Sequence, residues 1–278
     1  MTYIPDIDRV FSQLMNRINR YEKQQRHHGH RTLWQYWAIA ASVLLFLLAG
    51  YHLYTTSNPP ENKMLVLTGG NEGREQYTLP DGTTVCLNRG SKLIYPTRFS
   101  GKQREVCLSG QAFFDVAKEP NRMFIVKTGK IDIQVTGTQF DVTAYDVDDE
   151  IITSLVSGSV QISMEDEATG RIALKPGERL IHNKQHQSTT IYKDVDMDVY
   201  TSWKDGYLRF KESSFQEVRV QLEHAYGVRI QLKDKFLTER KYTGRLDLRN
   251  SIEDILETIK TTTPMNYTIL GKDVTITN

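Results

Sequence analysis

At 278 residues the chain is long enough for about two modest globular domains plus attachments. Its charge is balanced, Lys+Arg 35 against Asp+Glu 34, which excludes a global field for nucleic acid or anionic lipid and leaves only local patches. The two cysteines, Cys86 and Cys107, are too few for a disulfide scaffold and wrongly spaced for a zinc site.

Residues 8–21 place Val10, Leu14 and Ile18 on one stripe with Phe11, the spacing of a short amphipathic helix. His27, His28 and His30 follow, but without a Cys or carboxylate partner nearby they read as part of a solvated basic segment rather than a metal cluster. From 32 to 60 there is no acidic residue, Lys or Arg, and LWQYWAIAASVLLFLLAGYHLY at 33–54 supplies the roughly 20 residues that cross about 30 Å of hydrocarbon. Trp34, Tyr36 and Trp37 at one end and Tyr51 and Tyr54 at the other are rings suited to the two headgroup levels. A cleaved secretory signal has a shorter apolar core nearer the start. Arg17, Arg20, Lys23, Arg26 and Arg31 precede the helix and Lys63 is the first base after it, so the positive-inside rule puts the N-terminus in the cytoplasm and everything after about Thr55 in the periplasm. Ser57, Asn58, Pro59 and Pro60 then form a stiff tether.

Beyond Met64 the pattern becomes short runs of Val, Ile, Thr and Phe between turn residues, the signature of an all-β sandwich or roll. Pro80-Asp81-Gly82, Thr128-Gly129 and Pro176-Gly177 are hairpin turns. Gly110 and Gly158 interrupt strand-like runs, where glycine marks a bulge or a corner. Phe113 and Phe114 point to opposite faces, so they serve core and inter-domain packing rather than one stacking platform. Alternation puts Cys86 opposite in sense to Val85 and Leu87, and Cys107 opposite to Val106 and Leu108. If these strands pair, the sulfurs share a face and an oxidising compartment permits a bridge; two independent thiols are the alternative.

After Trp203 strand and helix alternate: strands at 207–210, 228–232, 241–246 and near Met265 and Val274, with helices from Phe215 and Ile252. Ser214 with Glu217 and Ser251 with Asp254 are capping boxes. Phe215, Val218 and Leu222 match Ile252, Ile255 and Ile259 in spacing, and Val228 and Ile230 match Met265 and Tyr267, so one β-α-β unit is duplicated. Free sheet edges in such a small α/β domain suit strand addition by a partner.

No Walker loop, dinucleotide-binding glycine pattern, HExxH or GxSxG occurs, and the acidic run Asp146, Asp148, Asp149, Glu150 lacks the glycine and terminal Glu of a calcium loop. Neither an enzyme nor a glycan-binding module is expected, because convergent carboxylates and an aromatic platform are absent from the pattern.

LPDGTTVCLNRGSKLIYPTRF, REVCLSGQAFFDVAKEP, VTGTQFDVTAY and LKPGERL, in that order, resemble the FecR family of anti-sigma regulators, and WKDGYLRF, FQEVRVQLEHAYGVRI, YTGRLDL and SIEDILETI resemble the C-terminal domain that follows FecR in Bacteroidetes proteins. The resemblance implies a single-pass inner-membrane protein with these parts: a cytoplasmic segment at 1–32, a transmembrane helix at 33–54, a linker at 55–66, an all-β FecR domain at 67–192 and a partner-binding α/β domain at 203–278. It implies no cofactor and no direct contact with nucleic acid. Such regulators relay the state of a TonB-dependent outer-membrane transporter to an extracytoplasmic-function sigma factor. Sigma-factor contact would fall to Val10, Phe11, Leu14 and Ile18, and contact with the transporter's signalling domain to Tyr207, Phe210, Val228, Ile230 and Tyr242.

Two departures stand out. Gln111 replaces the Glu that the family commonly has in this motif. The cytoplasmic segment is also shorter than the family's usual multi-helix bundle, so that a lone helix would fold on its sigma factor, or the chain would be a tethered adaptor that binds the transporter without controlling a sigma factor. Finally, Gly137-Thr138 has two readings. One is a strand bulge. The other, implied by the resemblance, is a self-cleavage point at which the Thr138 hydroxyl attacks the Gly137 carbonyl.

Overall fold

The structure, a computed structural model, describes residues 7–57, 62–70, 73–164, 170–233 and 240–277, with side chains described at 8–23 and 34–54 of the first helix. It divides into Met1–Glu61 and Asn62–Asn278. The first unit is one helix, α1 (Ile7–Ser57), of 51 residues. The separate amphipathic and membrane helices expected from the sequence are therefore continuous. The polar stretch between them is mostly Glu, Lys, Gln and Arg, good helix formers, and contains no proline to stop propagation. Trp34–Tyr54 is long and apolar enough to cross a membrane, and its side chains are exposed all round, as a lipid-facing helix requires.

The second unit begins with thirteen strands: β1 (Met64–Thr68), β2 (Glu75–Thr78), β3 (Thr84–Leu87), β4 (Lys92–Pro96), β5 (Arg104–Asp115), β6 (Phe124–Lys127), β7 (Ile131–Val135), β8 (Gln139–Ala144), β9 (Glu150–Ser157), β10 (Val160–Met164), β11 (Arg171–Leu174), β12 (Arg179–Asn183) and β13 (Ser188–Tyr192). They form two layers that share β5. Its first half pairs with β4 and β6, its second with β3 and β8. The first layer runs β11-β10-β7-β6-β5-β4-β1 and the second β2-β3-β5-β8-β9-β12-β13.

Gly110 is where β5 changes layer. Its φ of +111° is closed to most side chains, and a Cβ there would lie 2.6 Å from the Ser91 Cα, so the corner needs glycine. Between the layers, Leu87, Val106, Phe114, Phe124, Phe140 and Leu155 are among the residues of a continuous apolar core. Phe114 stacks on Phe140 with ring centroids 5.1 Å apart.

A short helix, α2 (Asp198–Thr201), and a 3-10 turn (Ser202–Asp205) lead into the second lobe: β14 (Tyr207–Ser214), α3 (Phe215–Tyr226), β15 (Arg229–Leu232), β16 (Lys241–Asp247), α4 (Ile252–Lys260), β17 (Asn266–Leu270) and β18 (Asp273–Thr277). Both expected capping boxes form. Each Ser hydroxyl accepts from the amide three residues on, and each acid side chain accepts from the Ser amide, an arrangement worth about 1 kcal/mol per helix. The repeat is also present, with a difference. The two strands of a unit do not share a sheet: the first strands pair with each other, β14 with β16, whereas the second strands, β15 and β17, flank β18. The duplicated units thus exchange strands about a common centre.

Phe113, adjacent to the core residue Phe114, faces the other way and joins Cys86, Trp203, Leu208, Phe215 and Leu222 in a second apolar cluster. Period-two alternation on β5 therefore welds the outer face of the second β layer to the C-terminal lobe.

Candidate partner-docking surfaces and the lobe interface

On α1, Val10, Phe11, Leu14 and Ile18 are all exposed, with Phe11 at 63% and Leu14 at 56%, and Met15 extends the stripe. An apolar stripe of this kind on an otherwise polar helix is a surface for a groove or a second helix. The side chains of His27, His28 and His30 lie outside the described residues. Among the described residues no group of three His, Cys, Asp or Glu is placed to hold a metal.

The residues assigned to transporter contact fare differently. Phe210 and Ile230 are buried, at 4% and 2% exposure, in the core of the C-terminal lobe. Tyr207 lies under the Arg245 guanidinium at 3.8 Å; Tyr242 packs on Phe215 and accepts a hydrogen bond from Thr263; Val228 packs against the core. A lobe built on a two-stranded and a three-stranded sheet needs these apolar groups for its own interior. Among the described residues, β15 and β17 are the outer strands of the three-stranded sheet, and Arg229, Gln231, Asn266, Thr268 and Leu270 on them are exposed.

Gly137-Thr138 lies in the turn between β7 and β8. Thr138 is buried, its carbonyl accepts from the Val116 amide at 3.0 Å, and its hydroxyl donates to the Ser159 carbonyl at 3.0 Å. Gly158, at φ +90°, packs directly on this peptide: a Cβ there would sit 2.9 Å from the Gly137 oxygen and 2.8 Å from Thr138 Oγ1. Both glycines singled out in the sequence therefore occupy corners that side chains would not fit.

The cysteines are free, Cys86 buried and Cys107 exposed, which overturns the expected bridge. Their strands do pair, β3 with β5, but only past the corner at Gly110, in the second layer, whereas Cys107 lies on the half of β5 that belongs to the first layer, opposite Ile94 and Lys127. The register sets Cys86 opposite Phe113, and Cys107 lies six residues further along β5, about 20 Å away at 3.3 Å per residue. A disulfide needs Cα atoms within about 7 Å.

The interface between the lobes centres on Asp141, which is 2% exposed. The Trp203 indole donates to Asp141 Oδ2 at 2.8 Å and the Gln111 amide to Oδ1 at 3.1 Å, while Asn88 donates to Gln111 Oε1 at 2.8 Å. Burial pushes the Asp141 carboxyl up to about 7 against the pull of these donors and of Arg179. Here the departure at Gln111 acquires a role: its amide supplies a proton to Asp141, where a Glu would set a second carboxylate against the first. Around this centre Arg89 Nη1 donates to the Tyr226 carbonyl at 3.1 Å, and His224, stacked on Tyr145, meets Asp148 at 2.9 Å. Sequence reasoning missed Asp141 and Trp203. They are 62 positions apart, and a lone Asp in a strand carries no local signal.

A two-layer β lobe with an α/β lobe docked on one face, preceded by a helix fit to anchor it once in a membrane, is the build of a sigma-factor regulator of the anti-sigma class. The family models that match are FecR protein, over residues 65–161, and FecR, C-terminal, over residues 207–276, and the chain belongs to the FecR family. Two crystal structures from Parabacteroides distasonis ATCC 8503, assigned as an anti-sigma factor, are 29% identical, with TM-scores of 0.66 and 0.67. They cover 77% of this chain, and this chain covers 98% and 99% of theirs. No curated protein sequence matches.

Proposed function

We propose that this regulator relays the state of a TonB-dependent outer-membrane transporter, through the inner membrane, to an extracytoplasmic-function sigma factor. The observation that carries the reading is α1. One uninterrupted helix joins an apolar stripe at Val10, Phe11, Leu14 and Ile18 to a membrane-spanning segment, after which the chain enters the two lobes. At 1.5 Å per residue its 51 residues extend about 75 Å, against about 30 Å of hydrocarbon. The bases before Trp34 set the N-terminal end in the cytoplasm and the lobes in the periplasm. The transporter's signalling domain adds to the exposed edge of β15 or β17, where backbone groups are available for strand addition.

The same reading includes a split at Gly137-Thr138. Thr138 Oγ attacks the Gly137 carbonyl carbon, the C–N bond breaks, the nitrogen takes the hydroxyl proton, and water opens the resulting ester to a Gly137 carboxylate. The buried hydroxyl beside its own scissile carbonyl supports this, and the pairing of β5 with β8 and of β7 with β10 across the cut would hold the halves together.

The test is co-purification of sigma factor with the full-length chain and with a Phe11→Asp, Leu14→Asp variant. Loss of the sigma factor from the variant alone is expected. Its absence from both preparations would favour a tethered adaptor that binds the transporter only.

A further inference from the structure

Between the outer face of the second β layer and α3 lies a cleft of about 810 Å³, within the range of small-molecule sites. Three neighbouring strands place Asp141, Ser154 and Arg179 in one row across its floor, each the register partner of the next. Residues directly opposite on paired strands have Cβ atoms about 5 Å apart, so these groups can act on one ligand together.

Two of the three hold unused hydrogen-bonding capacity. Ser154 is 1% exposed and its hydroxyl has no hydrogen-bond partner among the described residues. The buried Nε of Arg179 is likewise without one, while its guanidinium lies over the Tyr200 ring at 4.0 Å, which fixes the plane of the fork. Unpartnered buried donors are costly and rare in folded proteins, so a pair side by side on the floor of a cleft points to a ligand acceptor. The acceptor does not come from α3: Glu223 already takes Arg219 at 3.1 Å and the Ile230 amide at 2.6 Å, and His224 holds Asp148.

A hydroxyl and an Arg Nε–H next to each other match the two oxygens of a carboxylate. Asp141 sharpens this choice. Its carboxyl, pushed up to about 7 by burial, can meet a neighbouring monoanion by taking a proton, whereas a doubly charged phosphate would face the stronger repulsion. The walls add apolar groups, Ile152, Leu208 and Val220, to the polar floor, so the acid should carry an organic body.

We propose that the cleft between the lobes binds a small organic monocarboxylate, held by the Ser154 hydroxyl and the Arg179 Nε–H. Because β8, β9 and β12 contribute the floor and α3 and Trp203 the opposite side, such a ligand would stabilise one arrangement of the two lobes, adding a chemical input to a protein otherwise read through its partners.

The test uses the full chain in detergent with Trp34→Phe and Trp37→Phe, which leaves Trp203 as its single indole at the edge of the cleft. Glucuronate, benzoate and lactate are titrated to about 20 mM, well above a roughly 1 mM dissociation constant, beside glucose, benzyl alcohol and inorganic phosphate. At least one carboxylate should change the Trp203 emission saturably while the neutral counterparts and phosphate do not. Ser154→Ala and Arg179→Gln, checked for an unchanged melting temperature without ligand, should each weaken binding about tenfold or more. Silence from all three carboxylates overturns the proposal, as does binding of phosphate in their place or an affinity in the two variants unchanged from that of the parent. Absence of a co-purifying sigma factor from both the full-length chain and the stripe variant would leave this result untouched, so the two readings fail independently.

Discussion

Asp81 and Arg104 form an ion pair at 2.8 Å in which neither side chain keeps more than 1% of its surface in water. Arg104 also donates to the carbonyls of Arg122 and Ala117 and lies over the Phe124 ring, and Asp81 accepts from the amide and hydroxyl of Thr83. The pair ties the turn before β3 to the start of β5, two of the stretches on which the family resemblance rests. Asp81→Ala would leave the buried guanidinium with Glu119, 3.8 Å from its Nε, as its one remaining carboxylate among the described residues, and a cost of about 3 kcal/mol is expected. Equilibrium urea unfolding measures it; a loss below about 1 kcal/mol would show that Glu119 and the carbonyls satisfy Arg104 without Asp81.

What was legible in the sequence is what local chemistry decides. The hairpin turns at Pro80-Asp81-Gly82 and Thr128-Gly129, both capping boxes and the opposed directions of Phe113 and Phe114 depend on neighbours within a few positions, and the structure has each of them; Pro176-Gly177 also turns the chain, but it leads from β11 in one layer to β12 in the other, strands that do not pair, so it is a crossover and not a hairpin. The lobe interface was not legible, because Asp141, Gln111 and Trp203 converge from three separate elements. Strand parity alone put Cys86 and Cys107 on one face, but parity is blind to register and to the corner at Gly110, which carries Cys107 into the other layer, and these decided against the bridge. Phe210 and Ile230 had the right composition for a contact surface and the wrong side of the sheet, which alternation alone does not identify.

Asp141 gives the folded unit a dependence on pH. Its carboxyl is raised to about 7, chiefly by burial, from an ordinary value near 4, so between those limits the folded chain keeps a proton that the unfolded chain has released. Stability from this group is therefore highest below about pH 4 and falls as pH rises to about 7, by up to roughly 4 kcal/mol. Asp141→Asn keeps an acceptor for Trp203 and should flatten the profile. Parallel stability profiles for parent and variant from pH 5 to 8 would contradict the assignment.

The two thiols should label unequally. Cys107 is exposed, whereas Cys86 is buried in the inter-lobe cluster and burial pushes its thiol up to about 11. Maleimide is expected to modify one thiol in the folded chain, mapped to Cys107, and the second only after denaturation. Labelling of neither without reductant, with both labelled after it, would restore a disulfide.

At Gly137-Thr138 the expected outcome is two fragments from the parent chain and one intact chain from Thr138→Ala. Denaturing gels with mass spectrometry of a fragment ending at Gly137 decide it. Parent protein that stays full length after purification and ageing would leave Gly137 as a corner residue only. Separately, Gly158→Ala should suppress any cleavage, because its methyl would crowd the same carbonyl.

The arrangement around β18 bears on how the chain is made. The strand that completes both repeats, by pairing with β15 on one side and β17 on the other, is the last of the lobe's strands to leave the ribosome. Until it arrives, Ile230 and Tyr267 sit on strands with no hydrogen-bonded neighbour, and the lobe is two half-finished repeats exposed to proteases. The three-stranded sheet of this lobe is thus closed only once residues 273–277 have been made, so the lobe completes its fold after synthesis of its other elements rather than alongside it.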